Sequence, residues 1–283
     1  METVHTLADL QKYVSKIKAQ NKTIGLVPTM GALHAGHLSL VQSAVNENDV
    51  CVVSIFVNPT QFNSPEDLKK YPRTLERDAA LLEKAGCHLI FNPLTEDVYS
   101  KKDLKKTFEF DFGGLDTMME GAFRPGHFNG VVQIVSKLFA LIQPDRAYFG
   151  EKDFQQLAII HRMVKLMNFE VQIVDCPIVR EPGGLAMSSR NERLSPEERN
   201  IAANIFNILN ENANFAPGKS PRALAESIAC KINKVSGLRV EYVEIVEQKT
   251  LKIAENWENP AVVCVAVFCG KVRLIDNLKI DVQ

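Results

Sequence analysis

The sequence predicts an α/β protein whose first part is a parallel sheet covered by helices on both faces and whose last part is a smaller α+β unit. Three observations carry that prediction. Short β-branched runs alternate with helical patterns through the first 180 residues. The runs are nearly continuous in apolar character, as strands buried on both faces must be. After residue 194 the order becomes helices first and strands last, the order of an α+β unit. The expected N-terminal domain is therefore Rossmann-like and spans residues 1–180, and the expected second domain spans residues 181–283.

In chain order, METVHTLADLQKYV reads as an amphipathic helix. Thr23–Val27, Val50–Val57, His88–Phe91, Arg146–Phe149 and Glu170–Val174 read as strands, with helices between them. Leu194-Ser195-Pro196-Glu197-Glu198 starts a helix: Ser195 caps it, Pro196 suits its first position and Glu198 completes a capping box. Helices follow at Ile201–Asn210 and Pro221–Val235, separated by a loop at Asn214–Ser220. The last expected strands are Val240–Val246, Ala261–Phe268 and Val272–Ile275.

A length of 283 residues suits two domains at roughly 100–200 residues each. With 33 Lys+Arg against 34 Asp+Glu the net charge is −1, so the chain lacks the global basic field that nucleic-acid binders use to gather phosphates. A small ligand is the expected partner, with no nucleic acid. The six cysteines contain no Cys-x-x-Cys pair, and four lie in or just before apolar strand-like runs. That pattern points to a reducing compartment and hence to the cytoplasm. No eighteen apolar residues run together and the N-terminus has no apolar signal core, so no membrane partner is expected.

The most informative stretch runs from Val27 through Met30, Gly31, Ala32, Leu33, His34, Ala35, Gly36 and His37, directly between the first long strand and a helix. A helix N-terminus offers unpaired N–H groups and partial positive charge, which suit phosphate. His34 and His37 are three apart, on one face of the first turn, and Gly36 lets a nucleotide approach the backbone. A His-x-Gly-His in this setting is what the nucleotidylyltransferase superfamily and the class I aminoacyl-tRNA synthetases carry. Gly150, Glu151, Lys152 and Asp153 follow another strand, so both clusters are expected to border one crevice at the carboxyl edge of the sheet. Lys152 would bring a point charge to a triphosphate, while Asp153 caps the helix or orients Lys152. Met187, Ser188, Ser189, Arg190 and Asn191 form a polar hinge whose hydroxyls and guanidinium suit phosphate oxygens. Asn58 and Gln61 offer neutral groups to a small polar substrate. Arg124 and His127 are either residues at a helix start or anion contacts, and His5, His88 and His161 read as structural, without partners. No Cys/His/carboxylate spacing suits a transition metal.

Together these clusters, spread from Val27 to Asn191, resemble the pantothenate synthetase (pantoate–β-alanine ligase) family over essentially the whole chain. The resemblance implies an ATP-dependent ligase that forms pantothenate, AMP and pyrophosphate through a pantoyl-adenylate. It implies ATP contacts at Met30–His37, Gly150–Asp153, Val179 and Met187–Arg190, with His37 as general acid, His34 stabilising phosphate charge and Lys152 beside them. It implies pantoate contacts at Gln61 and at Gln156, with Gln61 later serving β-alanine. It also implies Mg²⁺ held mostly by phosphates, with Asp78 as a candidate ligand, and a homodimer. Because acyl-adenylates hydrolyse readily, the hinge and second domain are expected to act as a lid. Two rival readings are a transferase that attaches the nucleotide permanently, which would release a stable nucleotidyl product, and a nucleotide sensor, which would release no pyrophosphate.

Overall fold

The computed structural model describes residues 1–105, 108–213 and 218–280. Six strands of its first unit pair in parallel: β1 (Glu2–Val4), β2 (Ile24–Thr29), β3 (Val50–Ile55), β4 (Leu89–Phe91), β5 (Arg146–Gly150) and β6 (Gln172–Cys176). Their order is β1-β4-β3-β2-β5-β6. The chain thus moves one way from β2 through β3 to β4, then returns and continues the other way through β5 and β6. This reversal is the topological switch beside which open α/β sheets bind ligands, at the carboxyl ends of β2 and β5. Their pairing covers Gly25–Arg146 and Leu26–Ala147.

The helices are α1 (Leu7–Lys18), α2 (Ala35–Glu47), α3 (Pro65–Lys70), α4 (Leu75–Lys84), α5 (Thr95–Val98), α6 (Lys101–Lys105), α7 (Met119–Phe123), α8 (His127–Ile142), α9 (Phe154–Leu166), α10 (Pro196–Ala213) and α11 (Pro221–Asn233). Because successive strand residues point to opposite faces, one set packs with α1, α8 and α9 and the other with α2 and α4. Ile24, Leu26, Val50 and Val52 join Leu10, Val131, Val135 and Ile160 on the first face. Val27, Cys51 and Val53 join Leu40, Val41, Ala44 and Leu82 on the second. All six residues of β3 are buried, which is why its sequence VCVVSI carries no polar alternation.

Contact clustering divides the chain into Met1–Glu151 with Gln156–Cys176, and Lys152–Gln155 with Pro177–Gln283. The second unit folds around an antiparallel sheet of β7 (Leu238–Glu247), β8 (Ala261–Cys269) and β9 (Val272–Ile280). Ala202, Ile205 and Leu209 of α10 and Leu224, Ile228 and Ile232 of α11 close its core against Val263, Val265 and Val267. The capping box starts α10 as expected: Glu198 N–H donates to Ser195 Oγ at 3.1 Å and Ser195 N–H to Glu198 Oε2 at 2.9 Å.

Three local expectations are corrected. The N-terminal stretch begins as an edge strand, with Glu2–Val4 paired to Leu89–Phe91. The helix starts only after Thr6, whose Oγ1 accepts from Asp9 N–H at 3.1 Å. The last strand continues past Ile275 to Ile280, because Asp276 and Asn277 find polar partners inside the protein. The three histidines expected to lack partners have them: His5 with the Asn92 carbonyl, His88 accepting from Cys51 N–H, and His161 with the Asp175 carboxylate at 2.9 Å. Residues 214–217 of the expected Asn214–Ser220 loop lie outside the described residues. All six cysteines are free and only Cys230 is exposed. No helix among the described residues is long and apolar enough to cross a membrane.

Candidate active site

The loop from β2 to α2 turns through two successive left-handed residues, Gly31 (φ +80°) and Ala32 (φ +51°). Left-handed backbone in a residue with a Cβ is strained and persists only where its surroundings hold it. Asp78 of α4 supplies that hold. It is 0 % exposed, and its oxygens accept from Ala32 N–H at 2.9 Å and Leu33 N–H at 2.8 Å, with Thr74 Oγ1 donating at 3.2 Å. A carboxylate taking two backbone donors makes charge-assisted bonds, roughly twice as strong as neutral ones. Asp78 was expected as a magnesium ligand; its buried oxygens are instead spent on this loop, so it does not fit that role. Among the described residues no group of three His, Cys, Asp or Glu could hold a metal ion.

The clamped loop delivers His34 to the N-cap of α2, one position before the first helical turn where it was expected. Its Nδ1 accepts from Gly36 N–H at 3.2 Å, which requires that nitrogen to be unprotonated and leaves Nε2 as the ring's donor. The His37 ring lies against it, centroids 4.1 Å apart and planes tilted by 35°. No acidic residue lies in the first turn of α2, so the partial positive charge of this 13-residue helix is not neutralised by its own sequence. Met30, Gly36 and both histidines are partly accessible and Ala35 is exposed, whereas Gly31, Ala32 and Leu33 are buried.

A second turn, Pro59–Gln61, follows β3. Asn58 is 0 % exposed and sits behind it: its Nδ2 donates to the Gly130 carbonyl at 3.0 Å, and its Oδ1 accepts from Tyr99 Oη at 3.0 Å and Thr60 Oγ1 at 3.1 Å. Burial pushes the Tyr99 phenol up to about 12, and its bonds to Thr60 and Asn58 pull the other way. Gly130 is required by this packing, because a Cβ there would meet the Thr60 carbonyl oxygen at 2.3 Å. His127 closes the turn, its Nδ1 lying 2.8 Å from the Gln61 carbonyl, and Arg124 pairs with Glu120 at 3.4 Å. Asn58 is therefore corrected from a substrate contact to a buried knot, since all its polar atoms are committed within the protein. Gln61 keeps a half-buried side chain that hydrogen-bonds no described residue, and Gln156 likewise lies half-buried near the start of α9.

In the second unit, Lys152 is paired with Asp153 at 3.8 Å, so of the two roles left open for Asp153 the geometry supports orienting Lys152. Asn277 of β9 donates through Nδ2 to the Lys152 carbonyl at 2.9 Å. Val179 and Met187 end a short hairpin, joined by Met187 N–H to the Val179 carbonyl at 3.0 Å and by an Arg180–Ala186 bridge. Ser188 then caps the turn Ser189–Arg193, accepting from Arg190 N–H at 3.3 Å. Asn191 is buried there and donates to Glu181 at 2.9 Å and to the Ala186 carbonyl at 3.0 Å, so it is a structural tie of this segment, which lies inside the second unit and not at its boundary. Gly150 and Glu151 remain with the first unit. The sequence reading missed Tyr99, the clamp role of Asp78 and the Asp276–Asn277 pair. A polar pair interrupting the apolar run of β9 is the one signal that could have revealed the last.

The chain is 57 % identical to a pantothenate synthetase of Bacteroides fragilis over 281 residues, covering 99 % of both chains. It is 53 % identical to one of Porphyromonas gingivalis over 283 residues, covering 99 % of this chain and 100 % of the relative. The crystal structure of pantothenate synthetase from Thermus thermophilus superposes with a TM-score of 0.92 at 44 % identity, covering 99 % of each chain. A pantoate-beta-alanine ligase from Francisella tularensis, complexed with beta-gamma ATP and beta-alanine, superposes at 0.84 with 35 % identity, covering 100 % of this chain and 99 % of that one. The sequence profile of the Pantoate-beta-alanine ligase family matches residues 2–279, and the chain belongs to that family.

Proposed function

We propose that the ATP-dependent joining of pantoate to β-alanine is divided among the residues of this chain as follows. Pantoate is held by the Gln61 and Gln156 carboxamides, whose neutral donors and acceptors suit its hydroxyls. ATP is held by Met30–His37, Gly150–Asp153, Val179 and Met187–Arg190. In the first step a pantoate carboxylate oxygen attacks the α-phosphorus and the bond to pyrophosphate breaks. Charge then grows on the phosphoryl oxygens, so fixed donors aimed there lower the barrier more than a nucleophile would. His37 donates to the departing oxygen, His34 steadies the phosphate charge and Lys152 adds a point charge. In the second step the amine of β-alanine, placed by Gln61, attacks the acyl carbon; AMP leaves and the nitrogen gives up a proton.

The observation that carries this reading is the His34–His37 ring contact at the start of α2, held at the carboxyl end of a strand bordering the topological switch. Magnesium would be carried by the nucleotide phosphates, where it would offset their charge, and no role in holding it is assigned to Asp78. The six free cysteines support a reducing, cytosolic setting. The homodimer rests on family resemblance, and light scattering at a known concentration checks it. The lid role of residues 181–283 belongs to the same proposal, because the acyl-adenylate must be shielded from water.

The test supplies ATP, Mg²⁺ and pantoate, then adds β-alanine. Pantoate-dependent pyrophosphate followed by amine-dependent AMP and pantothenate is the expected result. Pyrophosphate release indifferent to pantoate, or a stable nucleotidyl product, contradicts the scheme.

A further inference from the structure

Two adjacent polar residues lie inside β9, the last strand of the second unit, where an ordinary strand would turn one of them to water. Asp276 and Asn277 are each 5 % exposed. Asp276 takes both Arg180 nitrogens, at 2.6 and 3.0 Å. The same guanidinium stacks 3.9 Å from the Phe206 ring and donates to the Gly184 carbonyl at 3.1 Å. A bidentate pair held this way fixes the direction of Arg180, and with it the Val179–Met187 hairpin that leads into Ser188 and Arg190. Asn277 reaches the other way and donates to the Lys152 carbonyl at 2.9 Å. Its own N–H is held by Asp276 Oδ1 at 2.8 Å. One dipeptide therefore ties together segments 125 and 96 positions away in the chain.

We propose that Asp276–Asn277 is a positioning pair that holds Lys152 and the Val179–Arg190 segment in one fixed frame, so that the β9 strand sets where the Lys152 ammonium sits during adenylation. The proposal rests on the ATP role given to Lys152 above. Neither Asp276 nor Asn277 touches the reacting atoms; they act through the backbone of Lys152 and the side chain of Arg180. A buried amide donor removed from Lys152 leaves that carbonyl without this partner and frees the segment to shift, and misplacement of about 1 Å can cost about a hundredfold in rate.

The experiment is a double-mutant cycle on pantoate-dependent pyrophosphate release in single turnover, using wild type, Lys152→Ala, Asn277→Ala and the double variant. The expected result is a loss of about tenfold or more for Asn277→Ala, with pantoate affinity within about twofold of wild type. In the Lys152→Ala background the same change costs less than about threefold. Equal losses in both backgrounds, or no loss in wild type, overturn the proposal. Near-normal adenylation by Lys152→Ala alone instead removes the role of Lys152, and the positioning pair falls with it. If Asn277→Ala is not recovered folded, Asn277→Asp, of similar size and lacking the donor, is measured against the same criteria.

Discussion

Two loops leave neighbouring strands of the parallel sheet, and each is held from behind by one fully buried polar residue. After β2 the holder is the Asp78 carboxylate, which takes two backbone N–H groups of the loop. After β3 the holder is the Asn58 carboxamide, which donates to a carbonyl and accepts from two hydroxyls. The difference lies in charge. A carboxylate behind the first loop uses up the Ala32 and Leu33 amides, so an anionic ligand approaching here would meet the residues beyond them, from His34 onward. A neutral knot behind the second loop adds no charge beside the half-buried Gln61, the substrate contact in the proposed scheme. Both residues read from the sequence as ligand contacts; each instead holds the loop beside it.

Removing His37, in the first turn of α2 just beyond the first loop, gives the largest expected effect. His37→Ala is expected to slow pantoate-dependent adenylation about 10²- to 10³-fold, the loss seen when one transition-state donor is removed, with an unchanged melting temperature. Single-turnover pyrophosphate release measures it. Breaking the same loop from behind should differ in kind. Asp78→Ala strands two buried amides and is expected to cost about 3 kcal/mol of stability as well as activity, read by urea denaturation.

For the second loop the two losses should separate by residue. Asn58→Ala is expected to cost about 2 kcal/mol of stability through its lost buried bonds. Gln61→Ala should leave the urea midpoint in place while raising the KM for pantoate about tenfold. If Gln61→Ala destabilises as much as Asn58→Ala, the division between holder and ligand-facing residue is wrong.

The smallest effect concerns Tyr99, whose phenol is pushed up to about 12 by burial. A folded-state value above the unfolded one stabilises the fold below pH 10, and that contribution is lost as pH rises through about 12. Tyr99→Phe should cost about 1 kcal/mol at neutral pH and flatten the decline in stability between these limits, as measured by denaturation at stepped pH.

Legibility follows the range of the interactions. The strands of the first sheet are readable because burial on both faces writes itself into consecutive residues, as in Val50–Ile55. The start of α10 is readable because Ser195 and Glu198 satisfy each other within one turn. The His34–His37 pair is readable because a strand end and a helix start adjoin it in the chain. Asn58 and Asp78 are misread because their partners lie 72 and 46 positions away, where no local pattern reaches. β1 is absorbed into the helix that follows because three residues carry too little periodicity to contradict it. β9 is cut at Ile275 because Asp276–Asn277 resembles a strand end until Arg180 and Lys152 are brought to it.

The central claim is that this chain first makes an enzyme-bound acyl-adenylate and only then meets the amine. Exchange of labelled pyrophosphate into ATP, measured with pantoate and Mg²⁺ present and β-alanine absent, tests that claim most directly. Exchange that requires pantoate and proceeds without the amine is the predicted result. Exchange that appears only when β-alanine is added, or none at all while pantothenate is still formed, would contradict it.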